Sequence, residues 1–122
     1  MNQTNQGIPE IPGIDTHRVI STMGNDGEFF LELLEMFLTR YGDAAERVRT
    51  DLARGNRESA ARLLHNLQGT AGSLGALELV GSVQALEETL VRSDNDPASL
   101  LEQVARQLAL LKKGGAPWLP PK

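Results

Sequence analysis

The chain has 122 residues, 40% of them hydrophobic and 23% charged, with a formal net charge of −4 and no cysteine. This is the length and composition of one ordinary globular domain with short tails. The acidic balance argues against a nucleic-acid surface, the lack of cysteine excludes disulfides and thiolate metal sites, and no apolar run approaches the ~20 residues of a membrane span. With no basic-then-apolar leader at the N-terminus, the expected location is cytoplasmic.

Residues 1–13 are polar and contain prolines and glycines, so they read as a linker or disordered lead-in. Asp15 is a plausible N-cap for a short helix over Thr16–Met23, with Val19, Ile20 and Met23 on its apolar side. Gly24-Asn25-Asp26-Gly27 is a turn cluster. Phe29, Phe30, Leu33, Leu34, Phe37, Tyr41, Ala44, Ala45, Val48 and Leu52 then recur at spacings of three and four. Because the stripe crosses Gly42 in phase, it predicts a single helix from about Gly27 to Ala53, roughly 40 Å long and bent near Gly42. Gly55 fits a C′ stop and Asn56 the N-cap of the following helix.

That helix carries Ala60, Leu63, Leu64, Leu67, Ala71 and Leu74 on one side and ends near Gly75. Leu77, Val80, Val83, Leu86 and Leu90 predict a further helix ending near Arg92. Ser93-Asp94-Asn95-Asp96-Pro97 is a break, with Asp96 as N-cap and Pro97 at the first helical position. Leu100, Leu101, Val104, Leu108 and Leu111 mark the last helix. Lys112 and Lys113 suit its dipole, and Gly114-Gly115 are expected to stop it. Trp118, in the proline-rich tail 114–122, is expected to pack back or lie exposed. No segment alternates as a strand should. The expectation is an all-α chain: an antiparallel four-helix bundle over residues 14–113 with a short leading N-terminal helix.

His65 is the residue with a chemical prospect. On a helical wheel it falls opposite the leucine stripe, so it is not a core histidine. Glu58, Ala61, Arg62, Gln68, Gly69 and Gly72 surround it at helical spacing. Two glycines inside a helix each cost about 1 kcal/mol relative to alanine, and a partner that must approach the imidazole closely would account for them. His17 has no such surround and reads as an ordinary surface residue. Two histidines without companion ligands do not make a metal site, no glycine run matches a nucleotide cradle, and Ser73 and Thr70 lack a base and an orienting acid. An exposed, neutral imidazole is nevertheless a competent nucleophile near pH 7. A phosphoryl group is one acceptable electrophile, given room for in-line approach.

The pattern His65-x-x-Gln68-Gly69, followed by Gly75, resembles the histidine phosphotransfer (HPt) domains of multistep two-component phosphorelays. Pro12-Gly13-Ile14-Asp15, Phe29-Phe30-x-x-Leu33-Leu34-x-x-Phe37 and Gly55-Asn56-x-x-x-Ala60-Ala61-Arg62 extend the resemblance over about residues 13–113. It implies a phosphocarrier, free-standing or from the C-terminal end of a hybrid sensor histidine kinase. His65 would take a phosphoryl group from the aspartate of one receiver domain and pass it to another. The family has no ATP-binding segment and no cofactor of its own; the magnesium ion belongs to the receiver, and a monomer is expected, with no membrane contact. Receivers of this kind dock on the leading helix, the long helix and the histidine helix, with Gly69, Gly72 and Gly75 giving clearance. Glu87 falls where related domains orient the ring with a polar side chain.

The family's lysine, three residues after the histidine, is Gln68 here. An amide offers a weaker hydrogen bond than an ammonium, and Arg62 on the same face is a candidate for the missing charge. Three readings follow: a phosphorelay carrier; an HPt-shaped module that docks receivers with impaired or lost transfer; and a ligand-binding or assembly bundle in which His65 is incidental.

Overall fold

The computed structural model describes residues 7–119. It contains α1 (Thr16–Met23), α2 (Gly27–Tyr41), α3 (Ala44–Ala53), α4 (Arg57–Ser73), α5 (Leu77–Arg92) and α6 (Ala98–Gly115), followed by a 3-10 turn over Ala116–Trp118. No strand occurs among the described residues. α3 packs on α4, α4 on α5, α5 on α6 and α6 back on α3, which closes a four-helix bundle. α2 leads into α3 as the upper part of the first long side.

The expected single helix over Gly27–Ala53 is two helices. α2 ends at Gly42, and Asp43 leaves helical geometry at φ −103°, ψ 18°. A Cβ at Gly42 would run into the Leu38 carbonyl oxygen and lie 3.0 Å from Lys112 Cε, so glycine is what lets α6 pass close at the break. The Arg47 guanidinium donates to the Arg40 carbonyl at 2.9 Å, supplying a donor next to the interruption. The apolar stripe keeps its phase because the break is so short.

The starts of α1 and α2 are as read: Asp15 accepts from the Arg18 N–H at 3.1 Å, and Asp26 from the Phe29 N–H at 3.0 Å. Asn56 stands at the N-cap of α4, but its side chain makes no cap bond. α3 and α4 both end in a left-handed glycine, Gly55 at φ +78° and Gly75 at φ +76°. At each end the next N–H reaches back across the turn: Asn56 to the Asp51 carbonyl at 2.8 Å, and Ala76 to the Ala71 carbonyl at 3.0 Å. These are Schellman closures, which satisfy carbonyls that a helix end leaves open. The start of α6 shifts by one residue, with Pro97 at the cap position. Asp96 still accepts from the Ala98 N–H at 2.9 Å.

The core runs through Phe30, Leu34, Phe37, Val48, Leu64, Leu67, Val83, Leu86, Val104 and Leu108. In α5 it is Leu79 and Ser82 that turn inward, while Leu77 is exposed; Phe29 in α2 is likewise half exposed.

Both expected tails belong to the domain as far as they are described. Ile11 is buried, and Ile8, Ile14 and Leu119 pack against the core. The Ile8 N–H donates to the Asn25 side chain at 3.0 Å. Gly114 and Gly115 are the last two residues of α6, as expected, before the 3-10 turn. Cβ atoms there would meet Ile11 Cγ2 at 2.9 Å and Leu34 Cδ2 at 3.0 Å. Their lack of side chains also admits the N-terminal segment and α2, a second use of glycine beside ending the helix. Trp118 is half exposed.

Candidate functional site

α4 shows why His65 faces outward. Ala60, Leu64, Leu67 and Ala71 are buried along one stripe, and the side chain of His65 on the other side keeps 71% of its surface. Across the α4–α5 seam, Glu87 Oε2 lies 3.2 Å from Nδ1 of the ring. A carboxylate only accepts hydrogen bonds, so this contact is made by the tautomer with its proton on Nδ1. Nε2 then keeps its lone pair and makes no hydrogen bond among the described residues. A fixed tautomer with the nucleophilic nitrogen unengaged is what attack on an incoming electrophile needs. Glu87 is itself about three-quarters shielded, with 24% of its side chain exposed, which restricts its rotamers and steadies the ring.

Two hollows flank the histidine. On the α5 side a polar groove of about 420 Å³ is walled by His65, Gln68, Gln84 and Glu87. Glu88 and Arg92 stand on the same groove, 3.9 Å apart. On the other side a hollow of about 440 Å³ lies between α1, α2 and α4, lined by Met23, Phe29, Leu33, Gly69 and Thr70 among others. Gly69 is exposed, and a Cβ placed on it or on Gly72 would meet nothing within 4 Å. Both glycines therefore keep open surface open, and neither is required by packing inside the domain.

Gly75 differs. It is buried, and its Cβ would lie 2.7 Å from Val19 Cγ2 and 2.9 Å from the Asp15 carbonyl oxygen. The Asp15 N–H donates to the Gly75 carbonyl at 2.8 Å. Gly75 is thus the seat of α1, and the expectation that it gives a partner clearance is corrected. Arg62 is exposed one turn before His65 and makes no hydrogen bond or ion pair among the described residues; it does not line the polar groove. Gln68 does line it and is half-buried. His17 is exposed on α1, away from these walls.

Sequence reasoning missed Gln84. The only signal for it is the register of two antiparallel helices, which the His65–Glu87 contact reveals. Phe29, in the apolar stripe of the sequence, sits half exposed on the rim of the second hollow. Among the described residues, no group of three or more His, Asp or Glu side chains is placed to hold a metal ion, and no helix is long and apolar enough to cross a membrane.

The family model described as Hpt domain matches residues 32–114, well over half of the chain. No curated protein and no solved structure matches.

Proposed function

Because the chain belongs to the Hpt domain family, whose members are histidine phosphocarriers that interact with receiver domains in phosphorelays, we propose that His65 is the phosphoryl acceptor and donor. The observation that carries this reading is the pairing of an exposed imidazole with a carboxylate on Nδ1 at 3.2 Å. In the forward step, the Nε2 lone pair attacks the phosphorus of a receiver's aspartyl phosphate. The N–P bond forms as the P–O bond to the aspartate breaks, the aspartate leaves as a carboxylate, and the Nδ1 proton stays on the ring against Glu87. The reverse step returns the phosphoryl group to a second receiver.

The chain itself contributes a nucleophile held in the right tautomer and an open approach to it. The magnesium ion that neutralises charge in the transfer is assigned to the receiver. Docking falls on the α1–α2–α4 side, where Ile20, Phe29 and Met36 are exposed apolar residues and Gly69 leaves the hollow between them open. Such residues would be desolvated by a partner, while His65 at the edge of the patch meets the active aspartate.

The test is to mix the protein with a phosphorylated receiver and assay for acid-labile, base-stable phosphate. Wild type takes label and His65→Gln takes none. Label persisting in His65→Gln would overturn the assignment. A second reading rests on Gln68: the domain docks receivers but transfers poorly, since an uncharged amide stands where the family has lysine. In that case a complex forms without label, and Gln68→Lys restores labelling.

A further inference from the structure

A phosphoryl group on Nε2 of His65 would bring two negative charges to a groove that already holds the Glu87 carboxylate, and Gln68 has no charge with which to meet them. The nearest cation on that groove, Arg92, stands 3.9 Å from Glu88. Arg62 does not line the groove. Apart from Arg92, the donors that line the groove beside His65 are the amides of Gln68 and Gln84.

α4 and α5 run antiparallel, so three residues forward on one correspond to three back on the other. His65 stands against Glu87 at 3.2 Å. Gln68, one turn after His65, therefore stands level with Gln84, one turn before Glu87. Both line the groove of about 420 Å³ beside the imidazole, one on each wall. Gln84 is exposed and makes no hydrogen bond among the described residues, so its NH2 group faces the groove uncommitted there.

We propose that Gln84 is a second phosphoryl-binding residue. Its side-chain N–H groups and those of Gln68 close on the phosphoryl oxygens from opposite walls and together replace a single ammonium. The inference rests on the carrier reading above. Gln84 moves no proton; it donates hydrogen bonds to oxygens that carry more charge in the phosphohistidine than in a loose, metaphosphate-like transition state. Donors of that kind hold the ground state.

The test uses phosphoramidate as the phosphoryl donor, so no receiver need be known, and follows His65 by 31P and 15N NMR on the whole chain. The side-chain NH2 resonances of Gln84 move on phosphorylation of His65. Gln84→Ala loses the phosphoryl group about three- to tenfold faster, as expected for one hydrogen bond. Gln84→Lys loses it more slowly than wild type, a gain that a purely structural role would not give. Thermal unfolding of both variants serves as the control for folding. Phosphohistidine that forms at His65 while the Gln84 resonances stay still and the variants decay like wild type would overturn the proposal and leave the carrier reading standing. If neither phosphoramidate nor a phosphorylated receiver labels His65, both fall together.

Discussion

In the proposed carrier, Glu87 holds Nδ1 of His65 at 3.2 Å and leaves Nε2 as the nucleophile. A glutamine in its place can still accept the Nδ1 proton through its carbonyl oxygen, whereas leucine cannot accept at all. Glu87→Gln is therefore expected to keep the tautomer, and Glu87→Leu to lose it. The cost of the latter is about two- to fivefold in the rate of phosphoryl uptake, the equivalent of one partly exposed hydrogen bond. Nitrogen-15 chemical shifts of the ring, read beside initial labelling rates, check both effects. Gln68→Lys works in the opposite sense: an ammonium sets a full positive charge beside the phosphoryl oxygens where the amide offers only a dipole, so more of the phosphoryl group rests on His65 at equilibrium with a receiver. His65 was legible in the sequence because a polar residue opposite a leucine stripe needs only helical periodicity to be seen. Glu87 came through resemblance. Gln84 was not legible, because it depends on how two helices are aligned along their lengths, and that alignment is set by core packing and not by either helix alone.

At the scale of the helices, the glycines separate by environment. Gly69→Ala places a methyl group in open space and removes a helix-breaking residue, so it should stabilise the fold by about 1 kcal/mol. The same methyl narrows the hollow toward α1 and α2, and transfer from a receiver should slow while phosphoramidate labelling stays unchanged. Gly75→Ala must adopt φ +76° and push against Val19 and the Asp15 carbonyl, a loss of about 2–4 kcal/mol. Chemical denaturation of the two variants should show opposite signs. Arg57 is a further helix-level fastener: its guanidinium donates to the carbonyls of Thr89, Leu90 and Ser93 at the end of α5. Arg57→Ala should cost about 1–3 kcal/mol by leaving that end unsatisfied. Sequence pattern located the helices but ran α2 and α3 together through Gly42, and it read Gly114-Gly115 as a plain stop. Gly42, Gly114 and Gly115 each mark a helix end and a point of close approach, and only the neighbours across the gap reveal the second use.

For the whole molecule, the N-terminal segment counts as part of the core. Ile11 is 3% exposed and lies against Gly114 of α6. Ile11→Ala is expected to cost about 2–4 kcal/mol, measured by denaturant unfolding, a loss no disordered lead-in would produce. The composition of residues 1–13 concealed this, since two isoleucines among prolines and polar residues carry no periodicity to read. What the sequence left open was which surface those isoleucines would meet.

The same contact has a consequence for traffic through the domain. Ile11 and Pro12 rest on Gly114, while Asp15 rests on Gly75, so both described ends of the chain emerge at the end of the bundle where α4 finishes. His65 lies ten residues before Gly75, about 15 Å down the same helix. Any receiver joined to either end would thus be leashed at one corner, a short reach from the imidazole. At that range a flexible tether supplies an effective concentration on the order of millimolar. A tethered receiver would then outcompete free ones at equal intrinsic affinity, and the choice of phosphoryl route would be written in the leash more than in the docking surface.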